Sequence, residues 1–480
     1  MIRKEYDGYI TVYLALTLGI MISLITTMLA GARMRTVRFQ TECVTDIGLE
    51  SIFAEYHREM LNRYGLLFID SSYGTGSGSE EAVKSHLLHY MNLNFDAVKK
   101  NMAGRDLTAS HADNAVIDGV AFATDGRGSV LDYQIDRYMK VKYGLGYIPV
   151  FKNDTEDLNS YLDQYEDYHS SRESAHGTVD SLIEEYNSQL PEDEEPYSIS
   201  NPADSVEDLS DSNVLFYALG DTSGMPFRST DPGLLISHRS YREGAGLRDY
   251  QEVPKGMTFK ALLIDYIYDK CGYYKNEKPD TALSYEIEYI LEGKGSDIEN
   301  MESIATKIFK IRYAVNMAYL LSNDEKKAEA EALALAATAA IGQPELEDAV
   351  TYTILFAWGY AESAKDIRIL YDGHGLTMIK TDATWNTPLA ILVDFKAHLS
   401  EYVPPEGNMD YKKFLDIFLA AKSIEDINFG LMDIMEADIR RSPGNGGFKI
   451  DDQVYQLFAD INVSSGYGYG CSIRRFYSYE

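Results

Sequence analysis

At 480 residues the chain is too long for one ordinary core, so two or three domains are expected. Its 45% hydrophobic content fits a folded protein, and its 37 tyrosines supply apolar bulk with a polar tip. A formal net charge of −31 argues against nucleic-acid partners, because neutralising phosphates needs a basic patch.

A short charged head, residues 1–8, leads into the uncharged run of residues 9–32. About 24 residues without a charge can cross a bilayer, which needs roughly 20. The membrane lipid bilayer is therefore an expected partner, through a single span. Beyond it, Val37, Val44, Ile47, Phe53, Tyr56, Met60 and Tyr64 recur at three- and four-residue intervals, the pattern of an amphipathic helix. One continuous helix over residues 9–64 is predicted, about 84 Å long. Ala30-Gly31-Ala32 has the small residues of a signal-cleavage site, but a helix running on through it favours an uncleaved span. Arg33, Arg35 and Arg38 follow the span, and the positive-inside rule alone would put the large domain in the cytosol; that rule is weak when one long domain follows.

Residues 65–79 read as a short buried strand and a Gly/Ser turn, 80–95 as a helix, 115–124 as a strand and 129–142 as an amphipathic helix. With the long helix they form a membrane-proximal α+β unit over residues 33–150. Residues 154–211 hold about 18 acidic side chains. Their first part has helical patterning with tyrosine and leucine on one face, and their second part has the proline, serine and acid content of a linker. Residues 151–211 are thus read as an acidic insertion and linker. No EF-hand spacing occurs in them, so solvated surface is the expected role rather than calcium binding.

The remainder, residues 212–480, is read as a mainly helical domain. Ser296 and Glu299 have capping-box spacing ahead of Ile304, Ile308, Ile311, Val315, Ala318 and Leu321. Further helices are predicted over 324–341, 345–370, 411–421 and 424–440. The apolar run inside 345–370 is predicted to be core. Strands over 454–463 and 471–479 are predicted to pair as a C-terminal hairpin. The fold class expected is α+β, predominantly helical.

Little of the sequence points to chemistry. His86 and His89 stand one helical turn apart, with Glu80 and Glu81 upstream, but no third metal ligand is placed by spacing. His374 sits between glycines after a helix, where Gly373 reads as its C-terminal stop. No nucleophile-elbow, phosphate-loop or dinucleotide fingerprint occurs. No catalytic residue, metal or cofactor is assigned, and no enzyme is expected. Cys43, Cys271 and Cys471 form no CxxC pair, and a bridge between Cys271 and Cys471 is left open.

Gly8, an uncharged span and then an amphipathic helix together resemble the layout of type IV pilin-like proteins. The resemblance implies a peptidase cut between Gly8 and Tyr9, on the cytoplasmic side, and a helix that packs in an assembly. Val44, Ile47, Phe53, Tyr56 and Met60 are the candidates for that packing. Tyr13 stands where pilins usually carry a glutamate. GYITVYLALTLGI, ECVTDIGLESIFAEYHREMLNRYGLLFID, NPADS, YILEGKGSDIENM, KIRYAVNMAYLLSNDEKKAEAEALA and LFAWGYAESAKDIRIL are similar to uncharacterised TadE/TadG-like proteins. Those are membrane-anchored surface proteins associated with tight-adherence (Flp/Tad) pilus systems of Gram-positive bacteria. That resemblance implies a single-pass protein of the cell membrane with a large extracytoplasmic domain and protein partners in a pilus or secretion assembly. The alternative expectation is a membrane-tethered extracytoplasmic enzyme or ligand-binding protein unrelated to pilus assembly.

Overall fold

The computed structural model describes residues 7–101, 108–144, 156–191, 195–198, 206, 214–220, 228–247, 253–339 and 344–479. The chain is predominantly helical α+β and divides into two compact units. The first comprises Met1–Leu145, His238–Pro254 and Met435–Glu480; the second comprises Gly146–Ser237 and Lys255–Ile434.

The first unit starts with α1, Asp7–Phe53, a 47-residue helix. From Val37 onward one face is buried: Val37, Thr41, Val44, Thr45, Leu49, Ile52 and Phe53 recur with helical spacing. That face packs on α2 (Glu80–Asn101) and on a four-stranded antiparallel sheet. Gly48 is where α1 and α2 come closest, and a Cβ there would lie 2.8 Å from Met91 Cγ.

The sheet consists of β1 (Ile69–Asp70), β2 (Ser110–Phe122), β3 (Gln453–Ser465) and β4 (Gly470–Ser478). β3 is its central strand. One edge pairs with β2, with Ala115 opposite Ile461, and the other pairs with β1 and then β4, with Ile461 opposite Ile473. Leu457, Ala459, Ile461 and Val463 alternate into the core with Val44, Phe53, Leu87 and Met91. The β3–β4 hairpin forms as predicted. It does not close the helical domain, however, because its strands are built into the sheet of the first unit.

The helix predicted over 9–64 is also interrupted. α1 ends at Phe53, a turn follows, and Tyr56 bridges antiparallel to Ile69. A π-helical turn, Met60–Tyr64, then restores helical spacing and buries Met60 and Tyr64. Periodicity survives the break, and no glycine or proline marks it.

α3 (Asp125–Tyr143) opens with a left-handed turn, Gly126 to Gly128, and is regular from there. The buried Asp125 carboxylate accepts from the N–H groups of Phe122, Gly244 and Gly246 at 3.1, 2.7 and 3.0 Å. This ties the strap of residues 238–247 to the sheet. Gly244 is needed at that point, since a Cβ would lie 2.2 Å from the Val120 carbonyl oxygen.

In the second unit, α4 (Glu156–Ser188), α5 (Val214–Leu219), α6 (Met257–Lys270), α7 (Glu286–Glu292), α8 (Asp297–Ser322), α9 (Asp324–Thr338), α10 (Pro344–Asp372) and α11 (Tyr411–Ala421) gather around α10. α12 (Ile424–Arg440) begins in this unit and ends in the first. Ser296 caps α8 by accepting from the Glu299 N–H, and its hydroxyl donates to the Glu299 carboxylate at 2.9 Å. The acidic stretch read as an insertion is core-forming in its first part. α4 packs on α8 and α10, buries Leu158 and Val179, and sets Tyr165 edge-on to Tyr313 at 5.7 Å. The linker part, residues 191–212, lies almost wholly outside the described residues.

Candidate functional site

The most distinctive surface belongs to α1. Among the described residues, Gly8–Phe53 is a helix long and apolar enough to cross a membrane. Every large apolar side chain from Tyr9 to Leu29 is between 51% and 83% exposed. At 1.5 Å per residue, residues 9–32 extend about 36 Å, against a hydrocarbon core of roughly 30 Å. Their hydroxyls are satisfied within the helix: Thr11 donates to the Gly8 carbonyl at 2.9 Å and Thr27 to the Ser23 carbonyl at 2.8 Å. Such internal pairing is what a lipid environment demands of polar groups.

Gly8 and Tyr9 fall in the first turn of this helix, and Tyr13 is exposed one turn further on. The five packing candidates separate into two groups. Val44, Phe53 and Met60 are buried in the core of their own unit, while Ile47 and Tyr56 keep 43% and 38% of their surface. Just past the apolar stretch, the Arg33 guanidinium lies over the Tyr467 ring at 4.4 Å.

His86 does not share a site with His89. Its Nδ1 lies 3.1 Å from a Glu55 carboxylate oxygen, its ring stacks on Tyr73 at 3.8 Å, and the same carboxylate accepts from the Tyr90 hydroxyl at 2.6 Å. His89 instead lies edge-on to Tyr90 at 5.8 Å. Among the described residues, no three His, Cys, Asp or Glu side chains gather at one point that could hold a metal ion. His374 follows Gly373, which closes α10 at φ 99°, and its N–H returns to the Ile369 carbonyl at 3.0 Å. Cys271 and Cys471 do not form the bridge left open. Both thiols are free, Cys271 buried at the C-terminal cap of α6 and Cys471 in β4 of the other unit.

Sequence reasoning missed several buried charges. In the second unit, Arg312 on α8 pairs with Asp366 on α10 at 2.9 Å, and both are fully buried. Lys380 reaches the other Asp366 oxygen at 2.7 Å and also bonds Glu362, whose carboxylate accepts the Asn386 N–H at 3.1 Å. Burial pushes the Asp366 carboxyl up, but Arg312 and Lys380 outweigh it and hold it below its ordinary value. In the first unit, Arg239 grips Asp451 through both guanidinium nitrogens, at 2.6 and 3.0 Å, and bonds Glu436 at 2.5 Å. These groups pin loops to helices. Each cation has its carboxylate, so neither cluster offers an open position for chemistry.

A third case is less balanced. Glu288 on α7 is fully buried among Tyr274, Tyr371 and Tyr411. One oxygen accepts from the Tyr274 N–H at 2.9 Å and the Tyr411 hydroxyl at 2.8 Å; the other has no partner among the described residues. Burial raises its pKa to about 7 against those hydrogen bonds. Two glutamates in EIEYILE gave no signal of this, because acids in a short helix read as its exposed face.

Residues 192–465 match a family of unknown function (DUF5702). The match covers more than half of the chain, and the chain belongs to that family. No curated protein and no solved structure matches it.

Proposed function

We propose that this family member is a non-enzymatic, membrane-anchored, surface-exposed component of a Tad-type pilus or secretion assembly. Residues 9–32 lie in the bilayer as its single span. Both folded units stand on the extracytoplasmic side, and the protein partners belong to the assembly.

The supporting observation is the division of α1. One unbroken helix offers only apolar surface over its first part, and over its second part it is core of a sheet-containing unit. A helix held in this way is a stiff stalk, because tilting it would pull Val44, Leu49 and Phe53 out of their contacts. This accords with the pilin-like layout that the sequence resembles. It also limits where neighbouring subunits touch. Val44, Phe53 and Met60 are occupied inside their own unit, so such contacts fall to the apolar first part and to exposed positions such as Phe39 and Ile47.

The test is N-terminal sequencing of the mature protein combined with protease accessibility on intact cells. A start at Tyr9 with accessible folded units is the expected result. An intact Met1 with protected units would overturn both processing and topology. A start after Ala32 would remove the anchor and leave a secreted protein.

A further inference from the structure

One groove of the second unit has donors with nothing to donate to. It lies between α9 and residues 382–390, encloses about 770 Å³ and holds both tryptophans of the chain. Trp358 is fully buried and meets Trp385 edge to face at 5.7 Å. Both indole N–H groups donate to the Thr387 carbonyl, at 2.6 and 2.7 Å. The rings are therefore satisfied.

Two other groups are not. Lys326 Nζ lies over the Trp358 ring at 4.6 Å and the Trp385 ring at 5.7 Å, and it has no ion pair among the described residues. The Thr387 hydroxyl is fully buried and likewise has no hydrogen-bond partner among them. Asp382, on the same groove, is already engaged, accepting from the Tyr319 hydroxyl and from Asn323 at 3.2 Å. An ammonium on an aromatic floor without a carboxylate is unusual in a chain of net charge −31. Ligand pockets typically combine apolar walls with a few such convergent polar groups. Here Leu333, Pro388 and Leu389 supply the apolar wall.

We propose that this groove binds a small monovalent carboxylate with an apolar body. Its carboxylate oxygens accept from the Lys326 ammonium and the Thr387 hydroxyl, and its aliphatic part lies along Leu333, Pro388 and Leu389. Glu329 and Asp382 at the rim disfavour a second negative charge on the ligand.

Trp358 and Trp385 are the only tryptophans, so the emission of the full chain in lipid nanodiscs reports on this groove. Titration with hexanoate is expected to change that emission saturably. Hexanamide, which lacks the charge, is expected to bind about tenfold more weakly or worse, the loss of one charge-assisted contact. Lys326→Met is expected to weaken hexanoate by a similar factor and Lys326→Arg to retain it. Lys327→Met should leave the midpoint unchanged, because Lys327 pairs with Asp324 at 4.0 Å. If Lys326→Met fails to fold by circular dichroism, Thr387→Val provides the second arm and should weaken hexanoate severalfold. The proposal is overturned by no saturable response to hexanoate, by an equal response to hexanamide, or by midpoints indifferent to the Lys326 and Thr387 substitutions. Tighter binding of adipate than of hexanoate would overturn the monovalent assignment.

Discussion

Replacing Glu288 with glutamine removes one ionisable carboxyl from the tyrosine cage without changing its shape. Burial raises the Glu288 pKa from 4.5 to about 7 despite the Tyr274 N–H and the Tyr411 hydroxyl. At about 1.4 kcal/mol for each pKa unit, the native state prefers the protonated form by about 3 kcal/mol more than the unfolded chain does. The stabilisation is fully present below pH 4.5 and falls away as pH rises towards about 7, because the native state must then either keep a proton or hold an unpaired buried charge. Urea unfolding followed by tryptophan emission reads the correct unit, since Trp358 and Trp385 lie in it with Glu288. The informative quantity is the difference between parent and Glu288→Gln, which cancels the titration of other groups. That difference should shift in favour of the variant by about 3 kcal/mol between pH 4.5 and pH 8. A pH-independent difference would refute the reasoning, as would one that shifts in favour of the parent.

Lys380→Met should lower stability by about 3–5 kcal/mol in the same urea assay, because it leaves Glu362 and Asp366 buried with one cation fewer. Gly48→Val should cost about 1–3 kcal/mol and lower the thermal midpoint by circular dichroism, since its side chain must displace Met91 and Leu87 between α1 and α2. Maleimide labelling of the native chain should modify Cys43 quickly, Cys471 more slowly and Cys271 only after unfolding. In 8 M urea without reductant, all three thiols should react (urea at about this strength unfolds typical domains), and recovery of only one would mean that a bridge exists.

What the sequence made legible was local. The ends of α11 and α12, the Ser296 cap and the apolar centre of α10 all follow from periodicity and capping chemistry within one segment. The partnership of β3 was not legible. Val454–Val463 alternates as a strand should, but alternation carries no address, and Asn462 pairs with Asn114 across a gap that includes the whole second unit. The break after Phe53 was hidden because the π-helical turn keeps Met60 and Tyr64 in step with the helix before it. Buried charges were misread for a related reason. Glu362 and Asp366 sit one turn apart on α10 as an exposed polar stripe would, and only the positions of Arg312 and Lys380 reveal that they face inward. The open groove at Lys326 left no motif, because its parts come from α9, α10 and a loop that no local spacing relates.

β3 has a consequence for the order of events during synthesis. The α1 face bearing Val44 and Phe53 is translated early, but the strand that completes the core beside it is among the last segments to leave the ribosome. Until then β1 and β2 have no strand between them, and that α1 face lacks part of its cover. Long-range pairing of this kind is slow to form, and a nascent chain waiting for it exposes unpaired strand edges to aggregation. The first unit is therefore the more dependent on a chaperone or on prompt delivery to its destination. A chain terminated before Gln453 would keep its apolar stalk and have no sheet to mount on it.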